Sequence, residues 1–243
     1  MIEVPDDLEL TAPQARVLGV LVEKQVTTPD SYPMTLKALT TACNQSTNRD
    51  PVVDYDPQLV ETTLMALKGK GLARIVHPGA GERVTKYRHV AHEALHLDDS
   101  ESAVLCVLLL RGAQTVAELK ARTERLHPFA SPAEVEATLE RLAGREPPMV
   151  RQLERQPGQK ERRWLQLVEV GAEARAAAAA GPSSAAGTDT GGRGGGRVDE
   201  LEARVDVLEA RLAALTEALG DLIDVPDTVG DVGTGSDPEG SAP

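Results

Sequence analysis

Aromatic residues are scarce in this sequence of 243 residues, which contains one Trp, three Tyr and one Phe. Five rings are too few for a repeated platform on which bases stack, so single-strand recognition of that kind is excluded. Apolar runs are short as well: the longest, Ala103–Leu110, falls far below the roughly 20 residues that a membrane span needs. The acidic first residues have no apolar core of an export signal, so we expect neither export nor a membrane partner.

Cysteine is nearly absent too. The two thiols, Cys43 and Cys106, each lie in a helical apolar pattern. This placement favours buried thiols in a reducing environment over a disulfide, and it predicts a cytoplasmic protein.

Positive charge is in deficit overall but is locally concentrated. The formal net charge of −12 argues against a chain that coats nucleic acid along its whole length. Residues 171–243 alone carry 14 acidic and 5 basic groups. By contrast, residues 58–92 carry six basic groups against two acidic, and residues 141–163 carry seven against three. The sequence therefore contains two basic strips upstream of an acidic tail.

Each basic strip closes one copy of an internal repeat. The aligned positions are Leu10–Leu21 with Leu97–Leu108, Thr35 with Thr115, Asp56-Pro57 with Ser131-Pro132, and Tyr87 with Trp164. Helical spacing, capping residues and β-prone stretches predict three helices and then a hairpin in each copy, which is the order of a winged helix. An unrelated pair of small helical domains is the alternative.

Local signals give element boundaries within each copy. The first helix is predicted over about Ala12–Lys24, Thr35 caps the second helix, and Asp56-Pro57 opens the third. The predicted strands are Leu72–His77 and Arg83–Val90 in the first copy, and Met149–Leu153 and Arg162–Val168 in the second.

The end of the chain has a different pattern. Apolar residues recur with spacings of three and four, which is a strict heptad repeat typical of a parallel two-stranded coiled coil. The predicted dimerisation residues are Val198, Leu201, Val205, Leu208, Leu212, Leu215, Leu219 and Leu222. The alternative is that this apolar stripe folds back onto the winged domains.

We therefore predict a mainly α chain with small β-hairpins, in six segments. These are an N-terminal tail (1–9), winged-helix domain 1 (10–92), winged-helix domain 2 (93–170), an Ala/Gly-rich flexible linker (171–197), a coiled-coil helix (198–223) and a disordered acidic tail (224–243). Continuation of a helix through the alanines of the linker is left open.

Three stretches are specific enough to suggest a family. They are Glu23–Met34 continued by Ala42–Val52, Arg83–His89, and Leu109–Thr115. Together they closely resemble the YceH-like family of bacterial proteins over roughly residues 10–168. The resemblance implies two tandem winged-helix domains. It implies no activity, because no biochemical function is established for that family.

Candidate DNA contacts follow from the basic strips, since such residues bind phosphate without specifying sequence. The candidates are Arg49, Arg74, Arg83, Lys86, Arg88, Arg151, Lys160, Arg162 and Arg163. Arg49 lies in a polar cluster over Cys43–Arg49, which is either a recognition surface or a loop that satisfies its own backbone. The strips themselves have a second interpretation, as ordinary solvated strand faces.

Catalysis has little support. The sequence contains no phosphate-binding glycine loop. His89, His92 and His96 have helical spacing, but His89 falls at the end of a predicted strand, so we expect no metal site, no cofactor and no enzyme activity.

The function predicted from sequence is a non-enzymatic tandem winged-helix protein. It is expected to bind double-stranded DNA through its basic wings and to form a homodimer through the coiled coil. The alternative is a protein-interaction adaptor without DNA contact, favoured by Glu134, Glu136 and Glu140 in the third helix of the second copy.

Overall fold

A computed structural model describes residues 8–77, 84–155 and 159–179 of the chain. The helices in this part are α1 (Ala12–Thr27), α2 (Leu36–Cys43), α3 (Pro57–Gly69), α4 (Ala91–Leu95), α5 (Asp99–Arg111), α6 (Val116–Thr123), α7 (Pro132–Ala143) and α8 (Ala172–Ala179). The strands are β1 (Met34–Thr35), β2 (Ala73–Val76), β3 (Lys86–His89), β4 (Val150–Gln152) and β5 (Trp164–Gln166). The predicted mixture of helices with small antiparallel sheets is confirmed.

Side-chain caps set the helix starts. The Thr35 hydroxyl accepts a hydrogen bond from the Ala38 N–H at 3.2 Å, and Asp56 accepts one from the Leu59 N–H at 2.8 Å. Both caps are as predicted. Pro57 at the first position of α3 fits because that position needs no backbone donor. α1 continues three residues beyond its predicted end, to Thr27.

The first half (residues 10–92) and the second half (residues 93–170) contain an equivalent contact between strands. In the first half β1 pairs with β3, and Met34 lies opposite Tyr87 in a three-stranded sheet of order β1-β3-β2. In the second half an isolated antiparallel bridge joins Gln114 to Trp164, beside the two-stranded sheet β4-β5. Tyr87 and Trp164 are the aligned aromatic residues of the sequence repeat, so the aligned residues occupy equivalent contacts. β1, which has only two residues, was not predicted.

The core runs through both halves because α1 and α5 pack against each other. Every residue of α1 from Ala15 to Val22 is buried, and so is every residue of α5 from Glu101 to Leu110. The axes approach closely at Gly19, whose backbone carbonyl accepts a hydrogen bond from the Cys106 thiol at 3.3 Å. A Cβ atom on Gly19 would lie only 3.0 Å from the Leu110 side chain, so glycine permits this approach.

Backbone hydrogen bonds also join the halves. The Leu10 N–H donates to the Val168 carbonyl at 2.7 Å, and the Val170 N–H donates to the Leu10 carbonyl at 2.8 Å. The Asp50 N–H donates to the Leu110 carbonyl at 2.9 Å. The described residues accordingly lie in one compact unit.

Two short helices lie outside the predicted three-helix units. α4 connects the halves and was not predicted. α8 lies in the segment predicted as linker, where a helix through the alanines was left open, and its Arg175 forms an ion pair with the buried carboxylate of Glu169. The predicted coiled coil, the acidic tail, the rest of the linker and most of both hairpin turns lie outside the described residues. Within the described part, none of the helices combines the length and apolarity needed to cross a membrane.

Candidate nucleic-acid interface

The hairpin β2–β3 carries basic side chains on its outer face. Arg74 lies directly opposite Arg88 in the register of the two strands, so their side chains project from the same face. Arg74 is exposed, the Arg88 side chain keeps 36% of its surface exposed, and Lys86 is partly exposed. Tyr87, between them on β3, is buried and anchors the strand to the core.

Like charges opposite each other across two strands destabilise the pair. A carboxylate relieves this repulsion only weakly, because Glu93 lies 3.8 Å from Arg88 and is itself 62% exposed. The outer face of this hairpin therefore keeps an excess of positive charge. Arg83, the remaining candidate of the first strip, lies outside the described residues.

The second hairpin differs because two of its arginines have acidic partners. Arg151 forms an ion pair with Glu173 of α8 at 2.5 Å, and Arg163 forms one with Glu118 of α6 at 2.9 Å. Two of the candidate phosphate ligands are thus engaged within the protein.

The last two candidates of this hairpin are exposed. Arg162 donates a hydrogen bond to the neutral side chain of Gln152 at 3.1 Å, and Lys160 is exposed beside the turn. The basic residues of the two hairpins therefore differ in their partners: two in the second hairpin form close ion pairs, whereas Arg88 in the first has only a distant carboxylate in the part of the chain that the structure describes.

Arg49 lies inside the protein and not on a recognition surface. Its side chain is completely buried, and its guanidinium bonds both carboxylate oxygens of Glu23, at 2.7 and 3.1 Å. It also donates to the backbone carbonyls of Ala42 and Asn48 and to Gln45. Every donor direction of the guanidinium is used, so in this structure Arg49 organises its own loop and presents no donor to DNA.

The same loop satisfies its backbone through Asn44. The Asn44 side chain accepts from the Tyr55 N–H at 2.9 Å and donates to the Tyr55 carbonyl at 2.8 Å. For Asn44 and Arg49 the structure thus favours the self-satisfying loop over a recognition surface. Sequence reasoning missed the role of Glu23, because a pair separated by 26 residues leaves no periodic signal.

The carboxyl group of Glu23 interacts closely with the cations beside it. Burial alone would raise the pKa of its carboxyl group, but hydrogen bonds and charge from Arg49, with the charge of Lys24, lower it overall. Glu23 is therefore a carboxylate at neutral pH, and it compensates the buried Arg49.

The third helix of each half offers a different surface. On α3 the exposed side chains include Gln58, Glu61, Thr62 and Lys68, whereas Thr63 is buried. A helix face of this composition can form hydrogen bonds to base edges.

On α7 the exposed face is acidic. Glu134, Glu136 and Glu140 are all exposed. Such a face repels phosphate, as the sequence analysis expects.

The three clustered histidines have separate surroundings. His89 is buried at the end of β3; its Nε2 is paired with Gln25, and its Nδ1 accepts from the Ala91 N–H at 3.3 Å. Burial, and then the charges of His92 and Arg88, lower the pKa of His89 to about 3. Among the described residues, no group of three or more His, Cys, Asp or Glu side chains is arranged to hold a metal ion.

Both thiols are buried and free, as predicted from their apolar surroundings. Burial raises the pKa of Cys43 to about 12 and also raises the pKa of Cys106. Both therefore stay protonated at neutral pH and have no thiolate character.

Comparison with known proteins places the chain in a family. Residues 10–159 match the family model described as "Protein of unknown function, DUF480". The chain belongs to this family. It is 52% identical over 161 residues to a UPF0502 protein of Geotalea daltonii, an alignment covering 66% of this chain and 73% of that protein. It is 45% identical over 188 residues to a UPF0502 protein of Shewanella sp. strain MR-4, covering 75% and 84%. The resemblance to an uncharacterised bacterial family is confirmed.

Some of the candidate residues lie inside the region matched by the family model, and others lie after it. The DUF480 region includes Arg74 and Arg88 of the first hairpin. It ends before Lys160, Arg162 and Arg163 of the second hairpin, and before the heptad segment. The first hairpin therefore lies within the part of the chain that defines the family.

Proposed function

We propose that this protein is a non-enzymatic DNA-binding protein of two tandem winged-helix domains, and that the first domain contacts duplex DNA. The order α1-β1-α2-α3-β2-β3, with β1 at the edge beside β3, supports a winged-helix assignment for residues 10–92. The order α5-α6-α7-β4-β5 with the Gln114–Trp164 bridge supports the same assignment for residues 93–170.

The observation that carries the proposal is the pair Arg74 and Arg88. Two arginines held opposite each other on the outer face of the paired strands β2 and β3 repel each other, and an anion between them would relieve that repulsion. Their planar guanidinium groups match the geometry of phosphate oxygens, so a DNA backbone would relieve the repulsion and fix the position of the hairpin.

Helix α3 would supply base contacts in this arrangement. Gln58 and Thr62 are exposed on the helix that precedes the hairpin, and amide and hydroxyl groups bond base edges in the major groove. Because phosphate contacts carry no sequence information, any sequence preference would come from these residues.

The second domain is assigned a different role, since Glu173 and Glu118 pair with two arginines of its hairpin and α7 is acidic. We propose that the C-terminal heptads dimerise the chain, which would present two DNA-binding hairpins. The two free thiols suit a cytoplasmic location.

Fluorescence anisotropy with a duplex of about 20 base pairs at low salt tests the DNA contact. We expect Arg74→Gln/Arg88→Gln to weaken binding at least about tenfold, as loss of two charge-assisted contacts should. The matched control Arg151→Gln/Arg163→Gln removes the two arginines of the other hairpin that already have acidic partners, and it should leave affinity within about twofold. Absence of duplex binding by the unaltered protein, or equal losses in both variants, would refute the assignment.

The acidic face of α7 supports a second candidate, the adaptor. Glu136 and Glu140 are exposed where a DNA-binding helix would carry neutral or basic groups, and they fit a basic protein surface. A pull-down from nuclease-treated lysate distinguishes the two functions. A stoichiometric partner that is lost on Glu136→Lys/Glu140→Lys supports the adaptor, and partners that all depend on nucleic acid contradict it.

A further inference from the structure

A cleft with a volume of about 450 Å³ lies between the two halves of the compact unit. One wall comes from the end of α1 and the loop after α2, and includes Lys24 and Asn48. The other wall comes from the ends of α5 and α6, and includes Arg111, Arg122 and Arg125. A cleft of this size is in the range that holds a small-molecule ligand. Arg74 and Arg88 do not line it, so the cleft is separate from the proposed DNA contact.

Positive charge is in excess in this cleft. Among the described residues, its lining contains four basic side chains and one carboxylate, Glu23. That carboxylate is already bound to the buried Arg49 at 2.7 Å and to Lys24 at 3.2 Å. Glu23 therefore forms its ion pairs within its own wall and with the buried Arg49, and none with the arginines on the opposite wall.

The three arginines of that wall share little acidic compensation. Arg122 lies 3.5 Å from Glu118, which also binds Arg163 at 2.9 Å. Within residues 8–77, 84–155 and 159–179, neither Arg111 nor Arg125 has a carboxylate at ion-pair distance. Arg111 is hydrogen-bonded to the side-chain oxygen of Asn48, which is a neutral partner.

Arg111 lies among other cations. Burial, and then the positive charges of Arg122 and Arg49, lower the pKa of its guanidinium group, and the carboxylates of Glu23 and Glu118 offset this only in part. An anion bound beside Arg111 would reduce the repulsion among these cations.

Basic residues near helix ends often serve to satisfy terminal carbonyls, but neutral donors already do so here. The Lys24 carbonyl accepts from the Thr28 N–H and hydroxyl, at 3.0 and 3.1 Å. The Leu110 carbonyl accepts from Asp50, and the Thr123 carbonyl accepts from His127 at 2.8 Å. At these three carbonyls the cationic side chains are therefore not the capping groups.

We propose that this cleft binds a small, multiply charged phosphate compound, held by Arg111 and Arg125 from one wall and Lys24 from the other. Several cations around one cleft match an anion that carries more than one charge, and guanidinium groups match phosphate oxygens in pairs. Asn48 orients Arg111 toward the ligand. Because the walls come from both halves, the ligand would bridge them.

Isothermal titration calorimetry of the full chain with inorganic pyrophosphate tests the site. We expect saturable binding with a Kd below about 1 mM, weakened at least about tenfold by Arg111→Gln/Arg125→Gln. Arg125 is exposed, so Arg125→Gln alone is a variant that keeps the fold, and it should weaken binding by at least about threefold. The control Arg74→Gln/Arg88→Gln should bind pyrophosphate normally, which separates this site from the DNA contact.

Three results would overturn the proposal. They are no saturable binding up to about 10 mM pyrophosphate, affinity unchanged in both cleft variants, and equal affinity for citrate, which would show that the site does not select phosphate. If Arg74→Gln/Arg88→Gln loses DNA binding but still binds pyrophosphate, the result supports the cleft as a separate site.

Discussion

Replacement of Arg49 tests whether this residue stabilises its loop or serves to bind a ligand. Arg49→Ala removes a completely buried guanidinium and its bonds to Glu23, Ala42, Gln45 and Asn48. The Glu23 carboxylate, whose side chain is only 15% exposed, then keeps Lys24 as its cationic neighbour at 3.2 Å.

Breaking a buried ion pair on one side costs about 3–5 kcal/mol. Since Lys24 still compensates part of the Glu23 charge, we expect the lower end, about 3 kcal/mol. For a chain of this size that loss corresponds to a decrease in Tm of about 6–12 °C. Glu23→Gln keeps the shape and a neutral acceptor, but it leaves the completely buried charge of Arg49 without a counter-ion, so we expect a similar cost of about 3 kcal/mol.

Urea denaturation of the full chain measures these differences. The matched control is Arg74→Ala, an exposed arginine on a strand, which should change the unfolding free energy by less than about 0.5 kcal/mol. A double-mutant cycle of Arg49→Ala with Glu23→Gln should give a coupling of at least about 1 kcal/mol. An Arg49→Ala variant as stable as Arg74→Ala would refute the structural role and return Arg49 to the candidate ligand residues.

Three further predictions concern other parts of the chain. Gly19→Val should destabilise the fold by about 2–3 kcal/mol in urea denaturation, because the added atoms meet Leu110 at the α1–α5 contact; an unchanged midpoint would contradict that packing. The unfolded chain protonates His89 near pH 6.5 but the folded chain only near 3, so stability should fall as the pH is lowered through this interval, and His89→Gln should reduce that slope; identical slopes would contradict the burial of a neutral imidazole. Leu208→Glu/Leu215→Glu should convert a dimer to a monomer in analytical sedimentation, and a monomeric unaltered protein at micromolar concentration would contradict the coiled coil.

Local signals were sufficient for much of the fold. Thr35, Asp56 and Ser131 act as helix caps where their side-chain chemistry predicts them, since a cap depends on residues three positions away. The repeat alignment identified α1 and α5 as equivalent helices. β1 was missed because two residues are too short for an alternating pattern, and its pairing with β3 bridges about 50 residues of sequence.

Candidate sites were predicted less well because they depend on what packs beside each side chain. The sequence identified Arg151 and Arg163 as basic, but only the fold shows Glu173 and Glu118 beside them. Arg49 has the composition of a ligand residue and is buried. The cleft was missed for the same reason, since α1 meets α5 and α6 only after the halves have packed.

The hairpin contact with DNA is tested most directly by the salt dependence of duplex binding. Each phosphate contact contributes about −0.9 to the slope of log affinity against log salt concentration. The unaltered protein should therefore show a slope steeper by about 1.8 than that of Arg74→Gln/Arg88→Gln, if each arginine neutralises one phosphate. Parallel slopes for the two proteins would contradict a phosphate contact by this hairpin, whatever their absolute affinities.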